Sequence, residues 1–397
     1  MLVVEAKLKG KPSQYAALDE AIRTARFVQN SCLRYWMDNQ GVGKYDLNKY
    51  CATLAATDEF PWCKQLNSMA RQAHAERAWS AIARFYDNCK RGKPGKKGYP
   101  QFKKHRTRAS VEYKTSGWKF GADRSRLVFT DGFAAGEFKL LGSRDLGCYD
   151  LKQFKRVRVV RRSDGYYAQF CLDVERREER QPTGRTVGLD VGLAHFYTDS
   201  TGGKVENPRH LRQAERRLKR AARRVSRKQQ GSANRRQAVN RLGRAHLKVQ
   251  RQRKDFAIKQ ARCVIESADF IAFEDLKVRN LVRNRHLAKS ISDAAWGQFR
   301  RWLEYLGQVY GVVTVAVPPQ MTSQQCSACG EIVRKTLSQR THLCPHCGHT
   351  QDRDHNAAIN ILRRGLQQYP GKLGNLDAYG ENNRCSSQVT DESKLAL

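Results

Sequence analysis

Acidic residues stand at the edges of three apolar segments. Asp190 lies late in Thr186-Val187-Gly188-Leu189-Asp190-Val191-Gly192, which reads as a strand whose glycines leave room beside the acid. Glu274 closes Phe270-Ile271-Ala272-Phe273-Glu274, a second apolar strand. Asp352 and Asp354 fall in the first turn of a helix that continues through Asn356-Ala357-Ala358. Taken singly, an acid after a strand is an ordinary loop residue and an acid in a first helical turn is an ordinary cap. Taken together, carboxylates far apart in sequence, on two strands and a helix, are what two divalent ions need to activate a water and stabilise the leaving oxygen of a phosphodiester. Mg²⁺ prefers such oxygen donors, completed by waters and substrate phosphates.

A second constellation is Cys326-Ser327-Ala328-Cys329, then 14 residues, then Cys344-Pro345-His346-Cys347, with Gly330 and Gly348 after the two pairs. Paired CxxC knuckles at this separation read as a zinc ribbon holding one Zn²⁺ by Cys326, Cys329, Cys344 and Cys347. Four thiolates leave no open position, so this Zn²⁺ is expected to be structural. His342, His346 and His349 lie in or beside the ribbon, but the cysteine set is already complete. The other eight of the twelve cysteines are scattered, as expected for reduced thiols in a cytosolic protein.

The elements that must position these groups belong to a strongly cationic chain. It has 397 residues, with 74 Lys and Arg against 38 Asp and Glu, a net +36 at neutral pH. Such a surplus repels itself unless a polyanion shares the surface, which makes nucleic acid the first expected partner. Between Arg209 and Arg262 there are 20 Lys/Arg and only two acids, Glu215 and Asp255. This run reads as two helices, 209–229 and 234–267, broken at Gly231-Ser232-Ala233. Leu211, Ala214, Leu218 and Ala221 mark an apolar stripe on the first, and Val239, Leu242, Leu247 and Ile258 on the second. The remaining face is almost purely cationic, and Arg216, Arg217, Arg220, Arg223 and Arg224 are candidate phosphate contacts. A second basic stretch, 90–104, is rich in Gly, Pro and Lys and reads as a loop. In it Tyr99 and Phe102 could stack on bases while Lys103 and Lys104 meet phosphates, or the two rings could pin the loop to the protein.

No apolar run reaches the roughly 18 residues a bilayer requires, and the N-terminal residues lack a basic-then-apolar export layout, so neither membrane insertion nor export is expected. Residues 3–8 alternate like a strand, and 15–37 and 65–87 read as helices. After the basic loop the texture is β-rich, with strands at 110–113 and 126–129 and a hairpin, 156–161 with 166–173, around Ser163-Asp164-Gly165. A helical block inserted into a β module accounts for this order. The linker Gln181-Pro182-Thr183-Gly184 precedes an α/β segment, and the end of the chain is polar and irregular.

In order and spacing, Gly188-Leu189-Asp190-Val191-Gly192, Phe273-Glu274-Asp275-Leu276, the four-cysteine ribbon and Asp352-Arg353-Asp354 before Asn356 resemble the RuvC-type nuclease half of the TnpB family. These proteins are encoded by bacterial and archaeal insertion sequences and are related to compact type V CRISPR effectors. Gly98-Tyr99-Pro100-Gln101-Phe102-Lys103-Lys104 matches, more loosely, a family stretch in the N-terminal half. The resemblance implies a multidomain α+β fold: a wedge β-barrel at 1–12 and 105–182, interrupted by a helical recognition domain at 13–104. An RNase H-like RuvC α/β nuclease domain would follow at 183–320 and 349–365, with the zinc ribbon inserted at 321–348 and a flexible tail at 366–397. It implies RNA-guided cleavage of both strands of a double-stranded DNA target beside a short motif, by a monomeric, cytoplasmic protein carrying a transposon-derived guide RNA. By motif position Asp190, Glu274 and Asp354 would hold two catalytic Mg²⁺ ions, Asp354 rather than Asp352 being the acid two residues before Asn356. Asn356 would help order that site, and Arg340 would contact the scissile strand. Two alternatives share the acidic triad, a closely related type V CRISPR effector and a guide-independent RuvC-like nuclease. A binding protein without chemistry and a transposase are the remaining readings.

Overall fold

In the computed structural model, residues 1–104, 110–336 and 338–369 are described, and the chain divides between Glu175 and Arg176 into two compact units. Most of the tail expected at 366–397, and the first residues of the segment expected at 105–182, lie outside the described residues. No described helix is long and apolar enough to cross a membrane.

In the first unit, strand β1 (Leu2–Lys9) alternates buried and exposed residues, as a strand with one face on a core must. Three helices follow: α1 (Pro12–Asp38), which opens on a proline suited to a first turn, α2 (Lys44–Ala56) and α3 (Ser68–Lys90). Asn67 caps α3, its side-chain oxygen accepting from the Met69 and Ala70 amides at 2.9 and 3.3 Å. The chain then supplies β2 (Ser110–Tyr113), β3 (Trp118–Phe120), β4 (Arg126–Phe129), β5 (Gly136–Leu141), β6 (Phe154–Arg162) and β7 (Gly165–Leu172). Their antiparallel order is β2-β6-β7-β1-β5-β4-β3, so β1 sits mid-sheet and the helices are an excursion between it and the rest. The ladder ends at β2 and β3, yet the rings of Trp118 and Phe120 on β3 reach Phe154 of β6 and Phe170 of β7. Where the sequence suggested a barrel, the sheet curls on itself through aromatic packing, with its edge strands β2 and β3 not paired to each other among the described residues.

A polar cluster fastens α3 to β2 and β6. Glu112, buried on β2, accepts from Arg156 at 2.7 Å and from Arg158 at 2.8 Å, and Glu76 of α3 pairs with Lys114 at 2.9 Å. His74 of α3 is buried beneath it and accepts the Glu112 amide hydrogen through Nε2 at 3.2 Å. Burial, reinforced by the charge of Arg77, depresses the His74 imidazole to about 3, so it is neutral in the fold. A histidine whose folded value is lowered is protonated first in the unfolded chain. The stability it confers is therefore present above about 6.5 and is lost as pH falls from there toward 3. His74→Gln, which cannot titrate, is expected to flatten the pH dependence of denaturant unfolding in that window by one proton, about 1.4 kcal/mol per pH unit.

The second unit begins with β8 (Thr186–Val191), β9 (His195–Asp199) and β10 (Lys204–Glu206). A hairpin of α4 (His210–Ser226) and α5 (Ala233–Ser267) leads to β11 (Phe270–Glu274). Then come α6 (Val278–Leu281), α7 (Ala288–Ala294), α8 (Trp296–Tyr310), β12 (Val313–Val317), β13 (Thr341–Leu343), β14 (Thr350–Asp352) and α9 (Arg353–Gln368). The main sheet runs β10-β9-β8-β11-β12, with β8, β11 and β12 parallel and β9 and β10 antiparallel. Alternation along the strands separates two faces. Leu189, Ile271 and Phe273 pack with residues of α5 and α8, whereas Phe270, Ala272 and Val317 pack with Ile361 of α9. Helix α9 continues to Gln368, three residues past the expected end of its segment at 365.

Candidate active site, zinc ribbon and basic hairpin

Glycines on two elements set the distance between α9 and the sheet. A Cβ at Gly188 would lie 2.2 Å from the Ala358 carbonyl oxygen and 2.7 Å from the Leu362 amide, so helix and strand backbones touch there. A Cβ at Gly365 would lie 2.5 Å from that of Ala272. Gly188 and Ala272 are each two residues before an acid, so Asp190 and Glu274 extend from the same sheet face. On α9, Asp354, Ala358, Leu362 and Gly365 recur at 4, 4 and 3 residues, one helical stripe. The stripe that lies on the sheet therefore begins with Asp354. Strand register adds the last link, since Leu189 pairs with Phe273 and the next residues along are Asp190 and Glu274.

The electrostatics follow from that convergence. Asp190 is pushed well above the usual carboxylate range, first by desolvation, then by the charges of Glu274 and Asp354. Glu274 is also raised by desolvation, opposed by a hydrogen bond from the Thr322 hydroxyl at 2.7 Å and by the charge of Arg364. Asp354 accepts from the Arg353 guanidinium at 2.9 Å, and Arg340 stands 3.8 Å from its other oxygen. Asp352 is used differently: it caps α9, accepting from the Asp354 and His355 amides at 3.0 and 3.1 Å, and pairs with Lys204 at 2.8 Å. All three acids of the triad keep partial exposure, so a ligand can reach them. A set of clustered carboxylate oxygens suits a hard divalent cation.

The thiolates of Cys326, Cys329, Cys344 and Cys347 have their sulfurs within 4.8 Å of one another, a cluster that fits a structural zinc. Among the described residues they are the one group of three or more such donors drawn that close; the three carboxylates are spaced more widely. Gly330 and Gly348, with φ of 85° and 71°, make the two knuckle turns, and each donates its amide to the carbonyl of the first cysteine of its pair. His342 is buried beside Lys335, and His349 bonds to Gln351 at 3.2 Å, which leaves the cysteines as the ligand set. Asn356, Asn360, Arg363 and Arg364 of α9 reach the base of the ribbon and the chain leading into it. Of these, sequence singled out only Asn356. Asparagines four residues apart inside a helix, where they are poor formers, were the available signal.

The expected basic hairpin forms, zipped by Leu211, Ala214 and Leu218 of α4 on Leu242, Ala245 and Val249 of α5. Val239, assigned to the stripe by periodicity, is exposed instead. Arg216, Arg217, Arg220, Arg223 and Arg224 are all exposed, and none pairs with a carboxylate among the described residues. Arg217, Arg220, Arg224, Arg227, Lys228 and Arg241 line a cleft of roughly 820 Å³ between the helices. Asp293 anchors the base of the hairpin, accepting from the Leu211 amide at 2.8 Å and from Arg253 at 2.8 Å, a role no sequence pattern announces. In the loop at 90–104 both aromatics touch the protein while staying exposed. Tyr99 packs on Trp36 and Phe85 at 5.7 and 5.2 Å, and Phe102 lies under the Arg34 guanidinium at 5.4 Å. Lys103 is held by Asn30 through its amide at 2.8 Å, which leaves its side chain, with that of Lys104, at the exposed surface.

Two family models match the chain, one described as a probable transposase over residues 169–285 and one as the TNB domain of Cas12f1-like proteins over 296–361. A "Putative RNA-guided DNA endonuclease" of Streptomyces pristinaespiralis is 33% identical over 361 residues, covering 89% of this chain and 86% of that one. The chain belongs to the TnpB family. A TnpB-like protein of Acanthamoeba polyphaga mimivirus is 30% identical over 145 residues, 35% of this chain and 28% of that protein. Among solved structures, a Cas12f1 in complex with single-guide RNA and target DNA superposes with a TM-score of 0.54 at 15% identity, covering 88% and 82% of the two chains. This TnpB chain therefore shares the multidomain fold of the Cas12 group.

Desolvating Asp190 beside Glu274 and Asp354 opposes folding. Asp190→Asn is therefore expected to raise the melting temperature of the metal-free protein by a few degrees, a gain that shrinks when Mg²⁺ is added to both proteins, as read by calorimetry.

Proposed function

We infer that this chain is an RNA-guided DNA endonuclease that cuts at the site formed by Asp190, Glu274 and Asp354. The observation that carries the assignment of the site is the convergence of three carboxylates from β8, β11 and the start of α9 in a chain otherwise carrying +36. The carboxylate donors fit Mg²⁺, and a bound pair of ions would supply an activated water and neutralise charge at both the attacked and the leaving oxygen.

The protein's own residues do the remaining work. Asp190 occupies the middle of the set, between Glu274 on the neighbouring strand and Asp354 across the helix contact. Thr322 orients Glu274 by donating to one of its oxygens. Asp354 sits in the first turn of α9, where aligned backbone amides favour a negative charge. Arg340 and Arg353 flank Asp354 and can exchange that carboxylate for a scissile phosphate when a strand enters. We assign the exposed arginines of α4 and α5 to the phosphates of the guide RNA, and the first unit to the wedge and recognition modules, 1–12 with 105–182 and 13–104. Base pairing by the guide reads the target, so the protein needs shape and phosphate contacts more than base-reading side chains, which agrees with cationic helices dispersed over the chain. One polypeptide per ribonucleoprotein completes the proposal.

Two experiments test it. In the reconstituted ribonucleoprotein, Asp190→Ala is expected to lower cleavage of a guide-matched duplex by at least about 10³-fold with guide RNA still bound. Undiminished cutting would remove Asp190 from the chemistry. The triple change Arg217→Ala, Arg220→Ala, Arg224→Ala is expected to weaken guide RNA binding at all sequences alike. It should also flatten the slope of log affinity against log salt by about 2, as three lost phosphate contacts on a single strand require.

A further inference from the structure

The ribbon and the acidic site are joined by a set of hydrogen bonds that runs through Thr322, Asn360 and Asn356. Thr322 is buried in the segment between β12 and the first zinc knuckle. Its hydroxyl lies 2.7 Å from Glu274 Oε1 and 3.1 Å from the Pro319 carbonyl oxygen. A hydroxyl has one proton, and the carboxylate is the stronger acceptor, so the bond to Glu274 is the one that counts. The residue before it, Met321, is held at a φ of 64°, a left-handed conformation that a non-glycine residue adopts only when its surroundings enforce it.

The residues that follow are held by α9. The Asn360 amide donates its two hydrogens to the carbonyls of Thr322, at 3.0 Å, and of Gln325, at 2.7 Å. Asn356, one turn earlier, donates to the same Gln325 carbonyl at 2.8 Å and accepts the Ser327 amide hydrogen at 2.9 Å. Ser327 follows Cys326 inside the knuckle, and Arg363 holds its carbonyl at 2.8 Å. Asn356 and Asn360 are both buried, so each of these bonds is expensive to leave unmade. At the far side of the ribbon, the Arg340 carbonyl accepts from the Arg353 amide at 2.8 Å, next to Asp354. The ribbon is thus tied to α9 at both of its ends, and at its near end to Glu274 as well.

We propose that Thr322 is a positioning residue for Glu274, held in place by the Cys326 knuckle through Asn356 and Asn360. Zinc in the ribbon then sets the geometry of the cutting site as well as folding its own module. This rests on the assignment of Glu274 to the nuclease site. A loose knuckle frees Gln325 and Ser327, removes the partners of two buried asparagines, and lets both Thr322 and the first turns of α9 move.

The test uses ribonucleoproteins carrying Thr322→Val, which keeps the shape and loses the hydroxyl, and Thr322→Ser, which keeps the hydroxyl. With Thr322→Val, guide RNA binding and zinc content are expected to stay unchanged, while the Mg²⁺ concentration for half-maximal cleavage rises about tenfold or more, the usual effect of losing a group that orients a metal ligand. Thr322→Ser is expected to recover most of that rise. Separately, amide hydrogen exchange is followed in the wild-type protein, without Mg²⁺ or target, before and after zinc is chelated. Loss of protection at 354–360 on chelation supports the coupling. A wild-type Mg²⁺ requirement in Thr322→Val overturns the role of Thr322, and unchanged protection of 354–360 after chelation overturns that of zinc. A wild-type ribonucleoprotein that fails to cut matched DNA at any Mg²⁺ concentration would instead overturn the nuclease reading on which both depend.

Discussion

The contact on which the site depends is the one at which α9 meets β8 with nothing but backbone between them. At Gly188 there is no space for even a methyl group, because the Ala358 carbonyl oxygen occupies it. Any side chain there would push the helix away from the sheet, and Asp354, one turn before Ala358 on the same stripe, would move with it. Gly365 against Ala272 closes the other end of the same helix face. Two small-residue contacts, one per strand, therefore fix where a helix-borne acid stands relative to two strand-borne acids. The relation is rigid because close-packed interiors transmit small displacements instead of absorbing them.

That geometry places like charges together, at a cost that is informative. In a chain with a surplus of +36, acids could have been paired almost anywhere, and the buried Glu112 shows how fully this protein can satisfy one, with Arg156 and Arg158 both bonded to it. Asp190 has no such partner among the described residues; desolvation and the charges of Glu274 and Asp354 act on it more strongly than Arg353 does. We read the contrast as that between an acid held for structure and one proposed to hold a cation, since a cluster of desolvated carboxylates is costly to keep without a positive partner. The same cation would reverse the local sign and make the acidic spot compatible with the polyanion that the rest of the surface attracts.

Much of this was readable from residue order, and the reasons for the exceptions are physical. Strand alternation and helical periodicity placed Asp190, Glu274 and Asp354 on elements of the right kind, and the paired knuckle spacing placed the zinc ligands, because both signals are local. The helix α2 and the strands β3 and β5 were missed; the two strands are only three and six residues long, too short to show a period. The barrel was implied by the resemblance alone; no residue pattern announces that the rings of Trp118 and Phe120 on β3 reach β6 and β7 across the sheet. Tyr99 was open because a ring in a basic loop looks the same in sequence whether it faces a base or Trp36. Asp293, Thr322 and Asn360 act through hydrogen bonds across 35 to 82 residues, which no periodicity records.

The two insertions in the second unit have different mechanical consequences, and their points of attachment explain why. The basic hairpin leaves the sheet after β10 and returns at β11; α5 is long enough, 35 residues or about 52 Å, that its second half packs in the core while its first half carries charge. Its base is held by Asp293, which bonds to α4 and α5. The ribbon leaves after β12, the strand beside Glu274, and returns directly as α9, the helix that carries Asp354. Movement at either end of the ribbon must therefore pass into an acid of the site. An insertion at that point cannot be mechanically neutral, and the buried asparagines of α9 are where the fold makes the connection stiff.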